Sequence, residues 1–194
     1  MNPDKAIRRR CRLSRRATRR LQAGALWLLA VFGAEFRGQG AEYSEYEVKA
    51  AVLSNFTQFV KWPAKAFPDA GAPFLIGVLG DDPFGAALER VVEGQSVAGH
   101  KIAIRRGRTA EDVKNCHLVF ISKSENARLA ESIGALQGAT VLTVGEAEQF
   151  TRLGGVIGLT MEGRRVRFSI NPAAAQRAGL VISSQIRKLD SGAQ

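Results

Sequence analysis

Cysteine and histidine are nearly absent: the 194 residues hold two of each. One cysteine and two histidines at unrelated spacings cannot assemble a zinc site once Cys11 leaves with the leader described below. Cys116 then stands alone, at the head of the apolar run His117 to Ile121. It reads as a small buried hydrophobe, the alternative being an intermolecular or redox-responsive thiol. No stretch is long enough to span a bilayer, which takes about 20 apolar residues, because the longest run, Leu21 to Ala34, is shorter. Neither a G-x-G-x-x-G loop nor a G-x-S-x-G elbow occurs, so dinucleotide binding and serine hydrolysis lack their signatures. Acidic residues are outnumbered, 18 against 28 Lys and Arg, for a net charge of +10.

The imbalance is local. Residues 1–40 carry ten Lys and Arg against two Asp and Glu, a net of +8. Residues 41–194 carry 18 against 16, a net of +2, so the folded part needs no nucleic acid to neutralise it. The front end runs from a basic segment (Lys5 to Arg20) through the apolar LQAGALWLLAVFGA to small residues, with Gly38-Gln39-Gly40 or Gln39-Gly40-Ala41 as cleavage sites. Those are the parts of a secretory signal peptide, predicted over 1–40 ahead of one domain over 41–194 in the periplasm. A basic tail before a core helix and an uncleaved anchor are the alternatives.

The remainder is organised around Phe74 to Val92. Phe74 to Leu79 is a short apolar run suited to a strand buried on both faces, and Gly80 ends it. Asp82 is placed to cap a helix with Pro83 at its first position, and Phe84, Leu88, Val91 and Val92 recur at helical spacing. Upstream, Ser44 and Glu47 have capping-box spacing, opening a helix through Trp62 with Val48, Val52, Phe56, Phe59 and Val60 as its buried stripe. Downstream, strands are predicted at Lys101–Arg106, His117–Ile121 and Thr140–Val144. Helices are predicted after Thr109, from Ser122 or Ser124 to Leu136, and over Glu146–Leu153. Val156–Met161 and Val166–Ile170 flank Glu162-Gly163 as a hairpin, Asn171-Pro172 opens another helix, and Leu180–Ile182 is a last strand. The pattern predicts a single α/β domain: a mostly parallel sheet flanked by helices, with an antiparallel C-terminal hairpin.

Two constellations invite function. Asp81 and Asp82, with Ser122, sit where open α/β sheets bind ligands, at the carboxyl end of the central strand. A periplasmic small-ligand module is therefore one reading, and an acid/base pair of Asp81 and Asp82 another. The two carboxylates would repel a phosphate. Arg164, Arg165 and Arg167 belong to a strand in which Arg165, Arg167 and Ser169 share one face. That face is either solvated charge at a sheet edge or a surface for a partner's carboxylates. Nothing in the residues assembles a catalytic centre, and no cofactor or metal is expected.

Four ordered blocks carry a resemblance: VKAAVLSNFTQFVKWP (48–63), VLGDDPFG (78–85), CHLVFISKSE (116–125) and GGVIGLTMEGRRVRFSINPAAAQRAGL (154–180), with IRKL (186–189) closing it. Together they resemble the YfiR-like exported proteins. The resemblance implies a periplasmic, non-enzymatic repressor of an inner-membrane diguanylate cyclase, bound through the cyclase's periplasmic domain and released when an outer-membrane lipoprotein captures it. It also implies a homodimer, and partner-facing positions at Ile157, Ser169 and Ala175. The chain departs from the family at three points: Gly77 stands where the partner of Cys116 in a family disulfide would be, a second family cysteine pair near Gly154 to Gly158 is absent, and Ser169 stands where an acidic residue is usual. The expected surface thus combines Ile157, Arg165, Arg167, Ser169 and Ala175.

Overall fold

The computed structural model describes residues 44–163 and 165–187. The signal peptide, Cys11, Arg164 and Lys188-Leu189 of the last block lie outside the described residues.

Ser44 opens helix α1 (Glu45–Phe59) with a full capping box, its side chain accepting from Glu47 N while the Glu47 carboxylate accepts from Ser44 N. The helix stops at Phe59, three residues before the predicted end. Val60 takes an extended conformation and, with Lys61, forms β1 (Val60–Lys61), paired antiparallel to β9 (Val181–Ile182). Trp62 precedes Pro63, which disfavours helix at that point, and the Trp62 indole N–H is fixed instead on the His117 carbonyl at 3.2 Å. The buried face of α1 is also rotated from the predicted stripe. Ala50, Leu53 and Phe56 reach the core, whereas Val48 and Val52 are half-buried.

The main sheet has seven strands in the order β3-β4-β2-β5-β6-β7-β8, where β2 is Phe74–Leu79, β3 Ser96–Val97, β4 His100–Gly107, β5 Leu118–Ile121, β6 Leu142–Gly145, β7 Ile157–Glu162 and β8 Arg165–Ile170. The five strands from β4 to β7 run parallel; β3 and β8 are antiparallel at the two edges. This is the predicted architecture. Alternation along the central strands divides two cores. Ile76, Val78, Leu118 and Phe120 face α1, α2 (Ala86–Val92) and α5 (Pro172–Arg177). Leu79, Val119 and Ile121 face α3 (Ala110–Val113) and α4 (Leu129–Ala135), through Val113, Leu129 and Ile133. A short helix, α6 (Ser184–Arg187), follows β9.

Two local predictions fail for identifiable reasons. Pro83 does not start a helix: Asp82 Oδ1 accepts from Phe84 N at 2.8 Å, a side-chain turn that delays α2 until after Gly85. The segment predicted as a helix over 146–153 is irregular at 146–147 and forms turns over 148–154. Phe150 is driven fully into the second core, where its ring lies between Gly145 and Gly155; a Cβ at either glycine would come within 2.2 or 2.1 Å of that ring. A regular helix would carry Phe150 away from this slot.

Candidate functional site

The β7–β8 hairpin sorts its side chains by alternation. Ile157 and Leu159 point into the first core, and half-buried Val166, Phe168 and Ile170 lean the same way, Phe168 meeting Phe56 edge-on at 5.4 Å. The opposite face presents Thr160 across from Arg167 and Glu162 across from Arg165. Arg167 Nε donates to Glu162 Oε2 at 2.6 Å. Both partners are well exposed, so the pair holds the guanidinium in place more than it stabilises the fold. Ser169 lies over Gly158, where a Cβ would sit 3.0 Å from its Oγ. Arg165, Arg167 and Ser169 therefore share one face, with two cations against one carboxylate.

Ile157 and Ala175 do not join them. Ile157 is 0 % exposed and Ala175 3 %, both in the first core. Ile157 is held between β6 and β8, opposite Val144 and Ile170. A partner could touch either only after the fold opened, so the accessible part of the expected surface is Arg165, Arg167 and Ser169.

The other expected site comes apart. Asp82 Oδ1 is spent on Phe84 N, and Oδ2 accepts from Arg106 Nε at 2.7 Å. Arg106 also reaches Glu89 at 2.7 Å, and its pKa is raised, chiefly by the bond to Asp82. Asp81 is exposed, its backbone N–H donating to Ser124 Oγ. Ser122 is buried and caps the 3-10 turn Lys123–Arg128. An open cleft of about 550 Å³ lies beside Gly80, Asp81, Asp82, Arg106 and Asp112, and neither histidine lines it. Asp112 there accepts from Thr109 Oγ1, which does most to hold its pKa down, and from Thr109 N and Arg108 N, closing the capping box of α3. The carboxylates of Asp82 and Asp112 are committed to a turn, a cap and an ion pair, that of Asp81 faces solvent, and no histidine is brought beside Asp81 and Asp82 for acid/base work. Among the described residues no group of three or more His, Cys, Asp or Glu could hold a metal ion.

Both histidines lie at the amino end of the sheet. His117 is buried: Nδ1 accepts from Leu75 N at 3.0 Å, which leaves Nε2 to carry the proton donated to the Ala66 carbonyl at 3.0 Å. Its ring stacks between Phe67 and Phe74, both 4.7 Å away, and Phe67 in turn stacks on His100 at 4.0 Å. Burial lowers the pKa of His117, so it is a neutral structural imidazole. Cys116 is likewise buried, its thiol pushed up to about 11 by desolvation and pulled the other way only by Arg105. That fits the small buried hydrophobe rather than a reactive thiol.

A buried ion network was not visible in the sequence. Lys49, in the first turns of α1, bonds both Glu45 and Glu146, and Lys123 reaches Glu146 Oε2 at 3.3 Å. Lys49 is 1 % exposed, and its ammonium lies 4.8 Å from the centre of the Tyr46 ring. The second oxygen of Glu146 is buried without a partner. The network ties the start of α1 to the carboxyl ends of β5 and β6, filling the crevice where open sheets usually take ligands. Its only sequence signal is the Glu45-to-Lys49 spacing.

Residues 46–190, well over half of the chain, match the family described as YfiR/HmsC-like. No curated protein sequence matches significantly. Among solved structures, a conserved domain protein from Vibrio cholerae O1 biovar eltor is similar with a TM-score of 0.52 at 12 % identity, over 76 % of this chain. The chain spans 60 % of that protein's length. At that identity the likeness concerns the fold alone. An ABC domain from Streptococcus pneumonia, in complex with L-Trp, superposes more loosely, with a TM-score of 0.48 at 11 % identity, over 75 % of this chain and 59 % of its own. Among the described residues no helix is long and apolar enough to cross a membrane.

Proposed function

The chain belongs to the YfiR/HmsC-like family, and from that premise we propose that it is an exported, periplasmic regulator that restrains a membrane-bound diguanylate cyclase by contact with the cyclase's periplasmic domain. It adjusts cyclic-di-GMP output without catalysis of its own. An outer-membrane lipoprotein is the natural competitor that would withdraw it, and a homodimer the working form. The leader over 1–40, basic then apolar then small, supports export.

The observation that carries the contact reading is the outer face of the β7–β8 hairpin. Arg165, Arg167 and Ser169 stand together on an edge strand, with Arg167 steadied by Glu162. An arginine fork recognises a carboxylate through two parallel hydrogen bonds, so an acidic patch on the partner is the complementary chemistry. Recovery of the cyclase from solubilised membranes by wild type and by Arg165→Glu/Arg167→Glu tests the reading. Loss of recovery with the variant is expected; equal recovery removes this surface. Intact mass of protein isolated from the periplasm tests export: loss of about the first 40 residues is expected, and full-length protein in the cytosol contradicts it.

A further inference from the structure

A second feature lies at the opposite end of the sheet from the Lys49–Glu146 network. At the amino ends of β2 and β5, on the face that carries α3, an open cleft of about 650 Å³ is lined by Lys65, Arg105 and Lys114, and by no Asp or Glu. Lys114 bonds Glu111. Among the described residues, Lys65 and Arg105 make no ion pair or side-chain hydrogen bond. The floor is Leu75 with Cys116 and the locked ring of His117, whose two nitrogens are already used on Leu75 N and Ala66 O.

Cations without counter-charge around a low-dielectric floor focus a positive field into the cleft, although residues 41–194 as a whole are nearly neutral. A purely inorganic ion would leave the apolar floor wet, and a neutral apolar molecule would gain nothing from the two cations. The residues ask for both properties in one molecule. A pocket of this size, mostly apolar with a few charged groups fixing orientation, suits a small organic ligand. We propose that this cleft binds a small amphiphilic anion, its carboxylate or phosphate head held by Arg105 and Lys65 and its apolar body laid on Leu75. This assignment rests on the cleft alone and stands apart from the cyclase reading.

Calorimetry on the full chain with phenyl phosphate, benzoate, inorganic phosphate and benzyl alcohol tests it. At least one of the two amphiphilic anions is expected to bind with a Kd below about 1 mM, and inorganic phosphate and benzyl alcohol at least tenfold more weakly. Lys65→Glu/Arg105→Glu should lose that binding tenfold or more. Both side chains are exposed, so the variant's unchanged melting temperature without ligand would show that the fold is kept. Arg165→Glu/Arg167→Glu, on the hairpin, should bind as wild type does. No binding of either amphiphile up to about 10 mM, or equal binding by the cleft variant, overturns the proposal. Phosphate binding as tightly as phenyl phosphate overturns the role given to the apolar floor. Head chemistry is read from whether phenyl phosphate or benzoate binds more tightly.

Discussion

A cysteine introduced at Gly77 would meet a sulfur already in position. A Cβ built at Gly77 lies 3.0 Å from Cys116 Sγ. A disulfide with a sulfur–sulfur bond of about 2.04 Å places each Cβ about 3 Å from the opposite sulfur, so the bridge needs little movement. The segment it would close, from 77 to 116, is about 40 residues long, for which chain entropy predicts ~4 kcal/mol of stabilisation. Against this, the same Cβ comes within 3.2 Å of both Val113 Cβ and Val119 Cγ2, in a core where added atoms cost about 1–3 kcal/mol. The net is about 2 kcal/mol, or roughly 4–8 °C in melting temperature for a domain of this size. The assay is thermal melting of Gly77→Cys in a Cys11→Ser background, oxidised and reduced, with mass spectrometry for the loss of two hydrogens. Gly77→Ser, which has the crowding without the bridge, should melt below wild type. Two thiols persisting after oxidation, or an oxidised form melting no higher than the reduced one, would refute the geometry of the β2–β5 junction.

Three further outcomes follow from the hydrogen-bonded and ion-paired titratable groups. Because burial lowers the pKa of His117 while the unfolded side chain titrates near its ordinary value, the unfolded chain binds more protons below about pH 6.5. Stability should therefore fall as pH drops from there to the folded pKa and then level off, and urea melts of His117→Gln should lack that slope. Glu45, Glu47 and Asp112 have lowered pKa values, held by Lys49, Ser44 and Thr109, so their contribution is present above the ordinary carboxylate range and is lost at more acid pH. Melts of Asp112→Asn should show less of this acid loss than wild type. Lys49→Met strands the buried Glu146 with only Lys123 nearby and should cost about 3–5 kcal/mol in urea unfolding, while Lys49→Met/Glu146→Leu should recover most of it.

The architecture was legible wherever apolar runs were bounded by punctuation. Phe74–Leu79, closed by Gly80, forms as its pattern predicts, because a strand buried on both faces leaves no polar positions to blur its limits, and the hairpin around Glu162-Gly163 forms because alternating strands flank a turn signal. Segments whose fate depends on a distant partner were not legible. Val60 leaves its helix to pair with Ile182, 122 positions away by sequence number. Phe150 abandons helical geometry for a slot made by two glycines. Lys49 looks like a solvated helix residue until Glu146 is folded against it. For the candidate site, alternation correctly grouped Arg165, Arg167 and Ser169 on one face. It could not separate them from Ile157 and Ala175, whose burial is decided by β6 and by the packing of α5.

Cyclase activity measured in membranes with the purified chain added tests the central claim most directly. Wild-type protein should lower cyclic-di-GMP synthesis in a saturable way. Arg165→Glu/Arg167→Glu, if it weakens the contact by about 2 kcal/mol, should need roughly 30-fold more protein for the same effect. Synthesis that stays constant at every concentration of the wild-type chain would contradict the account.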